Sequence, residues 1–180
     1  MNFRVALIPL LMLCSVAHVA NADDATSEDY VGIYIKRSAI VVSDLERTLT
    51  LWRDVLGMTV DSMSNENKDS LAYDLFNVPK TATLRFATLN AGPQERAFGM
   101  LEISGIDIPH QSGEIRRTGI VVNANGRWGE IKASIEEMGL ELLRQKTLVT
   151  RDHRVGIETG FIDWDGNLIV VYQLPAAKKP

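Results

Sequence analysis

The feature that most constrains this chain is an order of elements that occurs twice: strand, helix, strand, strand, strand. Gly32 to Val42 is rich in Ile, Val and Tyr and reads as a strand. Ser43-Asp44-Leu45-Glu46 matches a capping box, with Ser43 as N-cap and Glu46 reaching back. Leu45, Leu49, Trp52 and Leu56 then recur every three or four residues, the single apolar stripe of an amphipathic helix. Gly57 stands where such a helix takes its left-handed stop. Strands are expected over Met58 to Met63, Thr83 to Leu89 and Phe98 to Ser104. Between the first two, Asn65 to Thr81 is polar with an apolar patch, Leu71 to Phe76, and reads as a long loop with a short helical turn; Asn90-Ala91-Gly92-Pro93 and its polar continuation divide the last two.

The second half follows the same plan. Glu114 to Val122 reads as a strand and Asn123-Ala124-Asn125-Gly126 as a turn. Trp128, Ile131, Ile135 and Met138 carry a helical stripe that Gly139 ends. Strands follow at Leu140 to Leu148, Val155 to Asp163 and Asn167 to Leu174, the last two joined through Asp163-Trp164-Asp165-Gly166. Thr150 to Arg154 is a charged loop between them. Repeats of this kind decide the fold before any single element does. A half of roughly 75 residues buries too little surface to stand alone. The expectation is therefore an α+β fold in which two βαβββ modules, about residues 32–105 and 114–174, form one domain over 32–174. The helices lie on one side, and a concave mixed sheet on the other makes a natural cup for a small molecule.

Charge and composition narrow the partners. The 180 residues carry a net charge of −4 and a pI near 5.4, so there is no basic field to hold nucleic acid. Met1 to Ala22 has the form of an export signal: Arg4, the apolar run Val5 to Leu13, and a small-x-small site at Ala20-Asn21-Ala22. The alternative for this segment is a buried N-terminal helix. The apolar run is too short to span about 30 Å of hydrocarbon, and no stable membrane insertion is expected. Asp23 to Asp29 lies in a loose leader, 23–31, and residues 175–180 form a tail. The one cysteine, Cys14, lies within the signal and follows Leu13, where a lipoprotein needs a small residue. A soluble exported protein without thiols is expected, in a bacterial periplasm.

Two stretches carry a family resemblance. Arg37-Ser38-Ala39-Ile40-Val41-Val42-Ser43-Asp44-Leu45-Glu46, continuing to Trp52-Arg53-Asp54-Val55-Leu56-Gly57-Met58, resembles the opening of the vicinal oxygen chelate superfamily, the glyoxalase, bleomycin-resistance and extradiol-dioxygenase group. Gly160-Phe161-Ile162-Asp163-Trp164-Asp165-Gly166-Asn167-Leu168-Ile169 is similar to its final turn, with Trp164 where Pro is usual. The resemblance implies a glyoxalase-like fold and bears weakly on chemistry, because one fold hosts lyases, isomerases, dioxygenases and plain binding proteins. If the chain is an enzyme, the resemblance implies a glyoxalase-like lyase or an extradiol-type dioxygenase. It also implies a homodimer, since paired modules of this group often associate further.

In the metal-using members a divalent ion is held by His and Glu from the first and last strands of each module. Carried over, these positions fall on Arg37, Glu102, Arg117 and Val170. Arginine stays protonated and has no lone pair to offer. A like-charged pair at about 4 Å costs roughly 4 kcal/mol at an effective dielectric of 20. Valine donates nothing. The expectation is a degenerate metal site with no cofactor. The replaced positions point instead to a small anionic or polar organic ligand held by Arg37 and Arg117, with Glu102 orienting one of them and Tyr172 adding a hydroxyl and a wall. The same residues also fit an internal salt-bridge plug, or guanidinium groups turned to solvent.

No residue is assigned a catalytic role. Glu158 is the one spare candidate for a general base, while Asp163 and Asp165 fit turn formation better than acid–base work. His110 and His153 lie in a linker and a loop. Two further classes stay open beside the metal-free ligand binder: a metal-dependent lyase, isomerase or dioxygenase with displaced ligands, and a structural partner protein with a filled cup.

Overall fold

The computed structural model describes residues 33, 35–109, 115–116 and 118–175. The signal, the leader, Glu114, Arg117, His110 and residues 176–180 lie outside the described residues. Ile35–Pro180 forms one compact unit, and no helix among the described residues is long and apolar enough to cross a membrane.

Strand β1 (Ser38–Val42) starts later than its composition predicts, because pairing begins only at Ser38 opposite Phe98. Helix α1 (Leu45–Leu49) is capped by Asp44, whose carboxylate accepts from Arg47 N at 3.0 Å. The expected capping box does not form. Ser43 N donates to Asp165 Oδ1 at 3.1 Å, and Glu46 pairs with Arg85 at 2.8 Å. The helix then widens into a π-helical stretch, Thr50–Val55, with Leu56 N on Leu51 O at 2.9 Å. Gly57 stops it with φ of +80°, as the sequence predicts.

Strand β2 (Thr59–Glu66) is bulged near Asp61, and a short helix, α2 (Ala72–Leu75), follows. Strands β3 (Thr83–Ala91) and β4 (Gln94–Ser104) run longer than expected, because Gly92 and Pro93 suffice for their turn. The second module supplies β5 (Ile120–Asn123), helix α3 (Trp128–Glu137) and two short strands, β6 (Glu141–Leu142) and β7 (Lys146–Val149), where one was expected. It closes with β8 (Val155–Ile162) and β9 (Leu168–Gln173). One sheet has the order β1-β4-β3-β2; the other has β5-β9-β8-β6, with β7 also on β8. Both mix one parallel pair with antiparallel ones, β1 on β4 and β5 on β9.

One apolar core joins the modules. Ile40, Met100 and Leu89 from the first sheet and Phe161, Ile169 and Val171 from the second share it with Leu49 and Trp52 of the first helical segment and Ile131 and Ile135 of α3. Trp52 is fully buried and stacks on Phe98, with centroids 4.0 Å apart. Trp128, its counterpart by helical stripe, is half-buried and its indole N–H donates to Gln145.

Polar contacts also cross between modules. Asn167 Nδ2 donates to Val41 O at 3.3 Å, Arg127 Nη2 donates to Val55 O at 3.1 Å, and the Arg47 guanidinium lies 5.0 Å over the Trp164 ring. The Asp163 carboxylate holds the turn that supplies Asn167 and Trp164, accepting from Asp165 N at 3.0 Å and Asn167 N at 2.7 Å. Asp163 and Asp165 are thus turn formers, as their spacing predicts.

Burial pushes the Asp163 carboxyl above the usual carboxylate range, against the hydrogen bonds from Asn167. A raised folded value favours the neutral acid, so this stabilisation is complete below the ordinary Asp range and is lost as pH rises through the folded value. In urea melts across acidic pH, Asp163→Asn is expected to flatten that decline relative to wild type; equal slopes would remove Asp163 as its source. A second prediction concerns Gly156 in β8. A Cβ there would collide with the Gln173 carbonyl oxygen of β9. Gly156→Ala is expected to cost about 1–3 kcal/mol through overpacking, measured as a lower urea midpoint.

Candidate functional site: the sheet faces turned away from the helices

Alternate strand residues share a face. In the first sheet Phe98 and Met100 enter the common core, so Gly99 and Leu101 lie on the far face. Pairing places Ala39 beside Gly99 and Val41 beside Leu101, and in β3 puts Phe86 opposite Leu101 and Thr88 opposite Gly99. Arg37 continues the Ala39–Val41 face. Its Nε donates to Arg96 O at 3.0 Å and its guanidinium lies 5.6 Å from the Phe86 ring centroid. Gly99 permits this, since a Cβ there would stand 2.8 Å from Phe86 Cζ and 3.0 Å from Arg37 Cδ. No carboxylate among the described residues lies within 4.0 Å of the Arg37 guanidinium.

Beyond Arg37 the face is polar. Buried Thr88 donates from Oγ1 to Asp61 Oδ2 at 2.9 Å and so accepts from Ser62 Oγ at 2.7 Å. Arg96 Nε pairs with the same Asp61 oxygen at 3.3 Å. Toward the other end the face is roofed. Tyr73 and Val78, from the segment expected to be a loop, and Ala82 just after it pack in one apolar cluster with Leu84, Leu101 and Ile103.

Glu102 is not where the sequence reading put it. It follows Leu101, so it shares the helix-side face with Met100 rather than the Arg37 face. Its Oε1 accepts from Leu45 N at 2.9 Å, and Oε2 meets Arg85 Nη1 at 3.2 Å. Glu102 therefore fastens the start of α1. It neither orients Arg37 nor plugs a site with it. Arg85, held by Glu46 first and Glu102 second, is pushed further into its protonated state. The sequence holds one signal for this pair, a lone arginine inside the apolar run Leu84 to Leu89, which calls for a partner carboxylate. Glu102→Ala leaves Leu45 N–H and Arg85 without that partner and is expected to cost about 1–3 kcal/mol in urea unfolding. An unchanged midpoint would deny the contact any weight.

In the second sheet Phe161, Ile169 and Val171 face the core, so Gly160, Val170 and Tyr172 lie on the far face. Val121 pairs with Val170, and Asn123 and Glu158 both stand opposite Tyr172. Glu158 is exposed there, with Lys146 opposite it on β7. Tyr172 borders a cavity of about 390 Å³ together with Asn123, Asn125 and Arg154. His153 lies exposed in the turn before β8. Of the expected quartet, then, Arg37 belongs to one far face, Tyr172 to the other, Glu102 to the helix side, and Arg117 falls outside the described residues.

A family model for the glyoxalase/bleomycin resistance protein/dioxygenase superfamily matches residues 34–171. The chain belongs to this superfamily. Solved structures share its fold. A glyoxalase family protein from Bacillus cereus superposes with a TM-score of 0.60 at 12% identity, covering 83% of this chain and 99% of its own. The fosfomycin resistance protein FosX from Listeria monocytogenes gives 0.52 at 13%, covering 82% and 96%. The trypanothione-dependent glyoxalase I of Leishmania major gives 0.53 at 15%, covering 79% and 87%. Among curated proteins, none matches the sequence.

The superfamily's metal positions can now be set by pairing rather than by counting. Val121 stands beside Val170 as Val41 stands beside Leu101, so the first-module equivalent of Val170 is Leu101, one residue before Glu102. Leu101 is fully buried in the cluster around Tyr73. Arg37, Leu101 and Val170 present no donor for a divalent ion. Among the described residues, no three His, Cys, Asp or Glu side chains gather as a ligand set.

Proposed function

We propose that this protein is a ligand-binding member of the glyoxalase superfamily that takes a small anionic or polar organic molecule on its far sheet face without a metal. The observation that carries this reading is the side chain at the first-strand position. A guanidinium stands there, laid on Phe86 and tied by Nε to a backbone carbonyl. It is fixed in place, yet no carboxylate among the described residues neutralises it. Arginine in such a setting suits the bidentate recognition of carboxylate or phosphate. Leu101 and Val170 support the reading by offering nothing to a cation that would compete with that anion. In the same terms, Met1 to Ala22 is an export signal and the mature protein works outside the cytoplasm, in the periplasm of a bacterial cell.

The test uses the protein purified without chelator. Metal analysis is expected to find far less than one divalent ion per chain. In thermal melts, a panel of small carboxylates and phosphonates is expected to contain one that raises the Tm of wild type by several degrees and leaves Arg37→Ala unmoved. A stoichiometric divalent ion would overturn the reading in favour of a metal-dependent lyase, isomerase or dioxygenase. So would a panel in which no anion stabilises wild type more than Arg37→Ala.

A further inference from the structure

A second place on the molecule has the form of a binding site, and it depends on neither Arg37 nor the state of the metal positions. The cavity of about 390 Å³ lies at the end of the β5–β9 pair, and Asn123, Asn125, Arg154, Tyr172, Leu174 and Pro175 supply its walls. Its volume is at the small end of the range for small-molecule pockets, enough for a molecule the size of a monosaccharide.

The polar groups around it are set by the fold. Asn123 stands opposite Tyr172 in the parallel ladder. The Asn123 side-chain oxygen accepts from Asn125 N at 2.9 Å, which leaves its amide N–H groups as the free end. Asn125 adopts φ of +47°, a left-handed conformation that Asn tolerates better than most residues, and the turn is held by Ala124 N on Tyr172 O at 2.8 Å. Arg154 Nε donates to Asp152 Oδ2 at 2.6 Å, so one edge of the guanidinium is fixed. Among the described residues its two terminal nitrogens have no protein partner, and neither does the Tyr172 hydroxyl.

These groups differ in kind. One guanidinium edge is a fork for a carboxylate. Two side-chain amides and a phenol can each give or take a hydrogen bond from a neutral hydroxyl. Leu174 and Pro175 offer an apolar wall to C–H groups. No carboxylate is among the residues that line the cavity; Glu158 stands opposite Tyr172 on β8, with Lys146 opposite it in turn, and Asp152 is engaged by Arg154. We infer that this cavity binds a small polyhydroxylated carboxylate of the sugar-acid class, its carboxylate on Arg154 and its hydroxyls on Asn123, Asn125 and Tyr172.

The experiment is isothermal titration of the full-length protein with D-glucuronate, D-glucose and acetate. Glucuronate is expected to bind one to one, and glucose and acetate at least tenfold more weakly, since each keeps only part of the recognised chemistry. Arg154→Ala is expected to weaken glucuronate at least tenfold and Tyr172→Phe several-fold, both with wild-type circular dichroism and urea midpoints. Arg37→Ala is expected to leave glucuronate binding unchanged. The inference fails if glucuronate does not bind folded wild type, if glucose or acetate binds as tightly, or if Arg154→Ala binds as wild type does. Loss of glucuronate binding in Arg37→Ala alone would also end it, and would place that ligand at the site of the proposed function.

Discussion

The rest of the structure depends on strand alternation being locked by one shared core. Trp52 stacks on Phe98, and Met100 lies beside them in the same cluster. A strand has a period of two, so these buried residues leave the others no choice of side. Glu102 must join the helix side, and Leu101 must turn away from it. Sliding β4 by one residue would put Phe98 and Met100 in the wrong layer and Glu102 on the far face, at the loss of several fully buried side chains. The core therefore decides which residues are eligible for function at all.

This also explains how far the sequence could be read. The order of the elements, both helical stripes, the stops at Gly57 and Gly139 and the superfamily were legible, because each is encoded by local periodicity or by a contiguous motif. Alternation groups Arg37 with Ala39 and Val41, and Tyr172 with Val170, but it does not say which side of the sheet each group takes. Glu102 was misplaced because a motif count across strands of different modules has no protection against an error of one. Pairing of Val41 with Leu101 and of Val121 with Val170 removes that ambiguity, and it is a tertiary fact.

Other features lay beyond local signals. The capping box at Ser43 is sound as a pattern, yet its two members are drawn to distant partners, Asp165 and Arg85. The apolar patch Leu71 to Phe76 was visible, but nothing local says that its Tyr73, with Val78 and Ala82, roofs Leu84, Leu101 and Ile103. The grouping of Arg154 with Asn123 joins a loop to a strand end some thirty residues earlier, and only the pairing of β5 and β8 on either side of β9 brings them to one cavity.

The clasp at the Asp163–Asn167 turn has a consequence for the lifetime of the molecule. It ties the entry of the first helix to the last hairpin through Ser43, Val41 and Arg47. The two halves also share a single interior, so neither can open alone without exposing the other's apolar surface. The duplicated modules behave as one cooperative unit. A protease would have to wait for global unfolding before it could cut within either half.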